Sequence, residues 1–265
     1  MKSTDQKLIM INGIVNSGKT LLFNLFKIEG NFICMDLTKE HFHIYKNDLI
    51  NDLGKENVKR LKPLIESTKI YDEEILLREI GLLMKFRPSY HFVIKPMPPI
   101  FAKQKYIKFQ KFEKWVKEYT PLKMENLHNL MVFRHPYLSW LTVPLFRTNI
   151  DNQIETWLKE IKEIDNIFWE AFDIVKLEDI KDHELIKNLI KKTDLNKVKS
   201  YTNFDLHTKE LNDYIDIEKD LKKIEKKLKP LFDKLDYDNG NKYIKMFMKD
   251  YLTDQEKKFF WLDHL

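Results

Sequence analysis

The chain has 265 residues, 43% of them hydrophobic, enough to bury a substantial core. Lys and Arg total 46 against 41 Asp and Glu; the resulting +5 is spread along the chain, so it favours anionic ligands slightly and does not point to nucleic acid. The single cysteine, Cys34, excludes an intramolecular disulfide, and no apolar run approaches the roughly 18 residues of a membrane span.

The first residues, Met1 to Lys7, are polar and lack an apolar signal core, so the expected location is cytoplasmic. Leu8 to Ile11 then read as a buried strand, followed by a glycine-bounded loop, Gly13 to Thr20. Leu21, Leu22, Leu25 and Phe26 give the next segment one apolar helical face. A second strand is expected at Phe32 to Met35, with Cys34 as a small buried hydrophobe. Leu76, Leu77, Ile80, Leu83 and Met84 mark a helix, and Phe92 to Ile94 a third strand. Tyr106, Phe109, Trp115, Val116 and Tyr119 lie on one face of a Lys-rich helix. Such a helix is ordinarily a solvated amphipathic one, with a polyanionic acceptor as the sharper reading. Leu130 to Phe133 form a fourth strand, Ile154 to Phe168 carry helical spacing, and Phe172 to Val175 form a fifth strand. Apolar residues then recur at helical spacing from Ile217 to Leu235, before an apolar tail, Phe259 to Leu265. That tail either packs back on the domain or makes a homodimer contact.

Alternating strands and helices imply an α/β fold of three layers. The expected core is a mostly parallel central sheet of about five strands with helices on both faces. Residues 1–205 are expected to form this domain, and 206–265 a C-terminal helical extension packed on it.

The loop carries the chemistry. Gly13 and Gly18 allow a tight turn and close backbone approach. The amides of Asn16, Ser17, Gly18, Lys19 and Thr20 can face inward at the positive end of a helix, which makes an anion site. Lys19 adds a mobile charge and Thr20 a hydroxyl. The spacing is that of the Walker A loop of P-loop kinases and NTPases. It also resembles the loop that grips the 5′-phosphosulfate in sulfotransferases using 3′-phosphoadenosine-5′-phosphosulfate (PAPS).

Two further segments follow the order of that second family. Phe133-Arg134-His135-Pro136 ends a strand and begins a helix; a guanidinium there suits a phosphate, and a hydroxyl follows at Ser139 and at Thr142. This resembles the sulfotransferase 3′-phosphate element. Val175-Lys176-Leu177-Glu178-Asp179-Ile180 resembles the family strand that ends in Tyr-Glu-Asp-Leu. The chain thus resembles the PAPS-dependent sulfotransferase superfamily over about residues 7–203, as a divergent member.

The resemblance implies PAPS as cosubstrate, 3′,5′-adenosine bisphosphate as product, a hydroxyl or amine acceptor, and no required metal. It implies that Asn16 to Thr20 hold the 5′-phosphosulfate and that Arg134 with Ser139 or Thr142 holds the 3′-phosphate. Lys95, after the third strand, is expected with Lys19 to stabilise charge on the leaving phosphate. Asn16 stands where the family carries a basic residue, and Met97 where many members carry a histidine base. The base is therefore sought among Asp36, Glu40, His41 and His43, with Glu40 first and His41 second. Two alternatives remain open: a P-loop small-molecule kinase, with Lys19 on ATP phosphates, Thr20 on Mg²⁺ and Asp36 near acceptor or metal, and a non-catalytic nucleotide-binding module.

Overall fold

The structure, a computed structural model, describes residues 5–14, 17–38, 41–44, 73–95, 114–137, 139, 150–165, 172–192, 194–195 and 217–237. In chain order the elements are β1 (Leu8–Gly13), α1 (Lys19–Ile28), β2 (Phe32–Thr38), β3 (His41–Ile44), α2 (Glu73–Phe86), β4 (His91–Lys95), β5 (Leu127–Phe133), α3 (Ile150–Asp165), β6 (Asp173–Lys176), α4 (Glu184–Leu189) and α5 (Ile217–Leu235). The lower part of the helix expected from Tyr106 is present as helical residues 114–119. Its upper part and the apolar tail lie outside the described residues.

Among the described residues, six strands form one sheet in the order β3-β2-β4-β1-β5-β6. Five of them run parallel, and only the edge pair β2–β3 is antiparallel. All five expected strands are there. β3 is an addition, because His41-Phe42-His43-Ile44 has no continuous apolar run to announce it.

Both sheet faces are covered, which is why the inner strands read as unbroken apolar runs. Ile9, Ile11, Cys34, Val93, Leu130, Val132 and Val175 face α1 and α4, meeting Leu22, Phe23, Leu25, Phe26 and Ile186. Leu8, Met10, Ile33, Met35, Phe92 and Ile94 face the other way, onto Leu83, Met84 and Val116. Each such side chain contributes about 1.5–3 kcal/mol by leaving water. Cys34 behaves as a buried hydrophobe, its thiol pushed up to about 12 by burial. Gln6 closes the end of α2 by donating to the carbonyls of Met84 (3.0 Å) and Arg87 (2.7 Å).

α3 and α5 form a second packed pair. Ile150, Ile154, Trp157 and Ile161 are buried on α3, and Ile224, Leu228, Leu231, Phe232 and Leu235 on α5. Lys223 and Asp151 pair at their exposed rim, where an ion pair contributes under about 1 kcal/mol. No helix among the described residues is long and apolar enough to cross a membrane.

Candidate phosphate-binding site

The five parallel strands send their C-terminal ends to one edge, with β1 between β4 and β5. Ligands in open parallel sheets bind outside such an edge. The register sets who arrives there. Met10 pairs with Ile94, so Lys95 ends β4 beside the loop that leaves β1. Gly13 pairs with Val132, so Arg134 emerges on the other side of that loop.

Gly13 is required by contact. A Cβ there would overlap Ser17 Oγ and come within 2.6 Å of the Val132 carbonyl oxygen. Gly18 is required by conformation: its φ of 86° lies in the left-handed region, and a Cβ would strike Leu177. The Ser17 amide does not face inward as expected. It donates to the Ile14 carbonyl at 3.2 Å and closes a turn that sharpens the exit from β1. Gly18 caps α1 without a side-chain bond, and no acidic residue lies in the first turn. The positive end of α1 is thus left without a carboxylate of its own. The Ser17 hydroxyl is buried, and its Oγ has no hydrogen-bond partner among the described residues. A buried hydroxyl left in this way carries a desolvation penalty of about 1–3 kcal/mol until a partner arrives.

Two ammonium groups converge on the loop. Lys19 folds back so that Nζ donates to the Gly13 carbonyl at 2.7 Å. Lys95, itself buried, donates from Nζ to Thr20 Oγ1 at 3.2 Å and lies 5.5 Å from the Phe23 ring centre. The sequence-expected residues Ser17, Gly18, Lys19, Thr20 and Lys95 are therefore brought together. Asn16 lies outside the described residues.

Beyond β5, Arg134 is half-buried and His135 fully buried. Pro136 opens a helical segment, as its fixed φ favours. Ser139 is buried in it, its amide donating to the His135 carbonyl at 3.0 Å. Thr142 lies outside the described residues. Glu178, in the 3₁₀ turn Leu177–Asp179 after β6, accepts the His135 amide on Oε1 at 2.8 Å and the Tyr237 hydroxyl on Oε2 at 3.3 Å. Burial pushes the Glu178 carboxyl up from its ordinary value; the His135 amide and the Arg134 charge pull the other way.

The candidate bases sit elsewhere. Asp36 lies within β2, opposite Lys95 on β4. His43 and His41 pair with Asp36 and Thr38 in the edge hairpin. β3 is three strand spacings from β1, or about 14 Å. Glu40 and Met97 lie outside the described residues. The sequence alone assigns no site role to Glu178 and does not single out Tyr237. The Glu-Asp pair after a buried strand was a signal for the first; nothing local marked the second.

No protein-family model matches this chain, and no curated protein matches its sequence.

Proposed function

We propose that this chain is a PAPS-dependent sulfotransferase acting on a hydroxyl or amine acceptor. The observation that carries the reading is the Lys95 Nζ to Thr20 Oγ1 contact of 3.2 Å. A kinase would keep the Thr20 hydroxyl for Mg²⁺. Here an ammonium group from the neighbouring strand already occupies that side of the hydroxyl, and Arg134 directly follows the strand on the other flank.

The residues present fit such a cosubstrate. The buried Ser17 Oγ lacks a partner among the described residues, and Gly13 and Gly18 have no room for side chains. When bound, the cosubstrate supplies an activated sulfuryl group. The amides at the start of α1, with Ser17 and Thr20, hold its 5′ end. Lys95 and Lys19 stabilise negative charge growing on the phosphate side of the breaking bond, the kind of preorganised charge that lowers a transfer barrier most. Arg134, with Ser139 or Thr142, takes the 3′-phosphate through its planar fork. Glu40 or His41 is the proposed base for the acceptor proton.

The experiment is a thermal-shift comparison of 3′,5′-adenosine bisphosphate with ATP plus Mg²⁺. Ligand at a hundredfold excess over Kd adds about 2.7 kcal/mol to stability. We expect the bisphosphate to give this shift and Arg134→Ala to remove it. Stabilisation by ATP-Mg²⁺ alone overturns the reading in favour of a P-loop kinase. That second reading has its own support: Lys19 occupies the Walker lysine position, with Nζ held 2.7 Å from the Gly13 carbonyl.

A further inference from the structure

One turn touches both halves of the proposed nucleotide site. In Leu177–Asp179, the Leu177 side chain fills the space beside left-handed Gly18, so the turn buttresses the phosphate loop. The next residue, Glu178, holds the His135 amide at 2.8 Å, one peptide beyond Arg134. The distance between the loop and the Arg134 backbone is therefore set by two adjacent residues of a single turn.

The turn is itself held from α5. That helix ends with Asp236 in the left-handed region, φ 50°, and Tyr237 donates its amide to the Phe232 carbonyl at 2.9 Å. This closure, with the Asp236 amide reaching back towards Asp233, is a Schellman motif. It delivers the Tyr237 hydroxyl to Glu178 Oε2 at 3.3 Å. Lys176 braces the same residue from β6, its Nζ 5.1 Å from the Tyr237 ring centre and 3.2 Å from the Asp236 carbonyl oxygen. The His135 ring is fixed as well. Its Nδ1 accepts the Tyr137 amide at 3.2 Å, and its faces and edges meet Tyr137, Phe232 and Tyr237 at centroid distances of 5.0, 5.1 and 4.9 Å.

We propose that Glu178, clamped by Tyr237, is the positioning residue that sets Arg134 at the correct span from the phosphate loop, so that a nucleotide bearing phosphates at both 5′ and 3′ ends is gripped at both together. Neither residue touches the ligand in this account; both act through the backbone at His135. The inference rests on the reading of Arg134 as the 3′-phosphate residue.

The test is calorimetric titration of the full chain with 3′,5′-adenosine bisphosphate and, separately, adenosine 5′-monophosphate. The proteins are the wild type, Tyr237→Phe, Glu178→Ala and Glu178→Gln. Loss of one hydrogen-bonded tether predicts a roughly tenfold weaker Kd for the bisphosphate in Tyr237→Phe and Glu178→Ala. The Kd for the monophosphate should stay within about twofold, because the loop is unaltered. Glu178→Gln keeps an oxygen for the His135 amide and should recover most of the bisphosphate affinity. A merely structural role would weaken both ligands alike, and that result overturns the inference, as does an unchanged bisphosphate Kd in Tyr237→Phe. Should Glu178→Ala fail to fold, Tyr237→Phe, which removes one hydroxyl, carries the test. A wild-type chain that does not bind the bisphosphate overturns the functional reading and this inference with it. A wild-type chain that binds, with variants that bind equally well, overturns the inference alone.

Discussion

At Gly18 a single backbone angle holds the phosphate loop in shape. Its φ of 86° costs an L-residue roughly 1–2 kcal/mol. A methyl group there would also displace Leu177. Gly18→Ala should therefore lower stability by about 2–3 kcal/mol, combining the backbone term with overpacking. Urea denaturation measures it, with an unchanged m-value expected because the exposed surface on unfolding is the same. The substitution should also weaken every phosphate-bearing ligand, since the loop and the Leu177 turn move together. That separates it from Arg134→Ala, whose effect should be confined to ligands with a 3′-phosphate.

Among the elements, α5 shows how a helix end can matter more than a helix face. Asp236 is an anionic residue in a left-handed position at the negative end of a helix, unfavourable on both counts. Asp236→Gly should relieve this and raise stability by about 0.5–1 kcal/mol, read as a higher urea midpoint. The strands were legible because the five parallel ones are buried on both faces, so runs such as Leu130 to Phe133 stand out from their polar neighbours. β3 was not, because an edge strand needs no continuous apolar run, and its histidines read as loop candidates for a base. In the site, the loop and Arg134 were legible because strand, glycine and cation fall within a few residues of one another. Tyr237 was not, because its partner Glu178 is 59 residues away and only the chain's return through α5 brings them together. The Ser17 amide was misjudged for a similar reason: the turn onto Ile14 is a choice of the folded backbone that the residue types do not dictate.

For the whole molecule, two histidines at the edge of the sheet opposite the phosphate site, His91 and His128, make stability depend on pH. Burial, then the charge of Lys7, lowers the proton affinity of both His91 and His128, while Asp5 and Asp173 respectively oppose the shift. The His91 Nδ1 accepts the Lys7 amide at 3.1 Å, a bond that a doubly protonated ring cannot keep. A histidine with a folded value below its unfolded one contributes stability that is present above about pH 6.5 and lost as pH falls through that range towards the lowered value. The urea midpoint should therefore drop between pH 7 and pH 5, and His91→Gln should flatten part of that slope. Glu178 works in the opposite sense: its raised value means that its contribution is fully present below the unfolded carboxylate range and is lost as pH climbs through the folded one. The two trends have opposite signs, so a pH series of midpoints on the wild type, His91→Gln and Glu178→Gln separates them.

The clamp of Glu178 by Tyr237 also has a consequence in time. The loop is built from β1, α1 and β4, all complete by Lys95, whereas the seat of Arg134 needs Glu178 and then Tyr237. Synthesis proceeds from the N-terminus at about 5–20 residues per second, so a nascent chain has its loop segments several seconds before α5 is made. On the proposed reading, a chain still on the ribosome gains a general attraction for phosphate first and its discrimination for a doubly phosphorylated nucleotide later, when α5 docks.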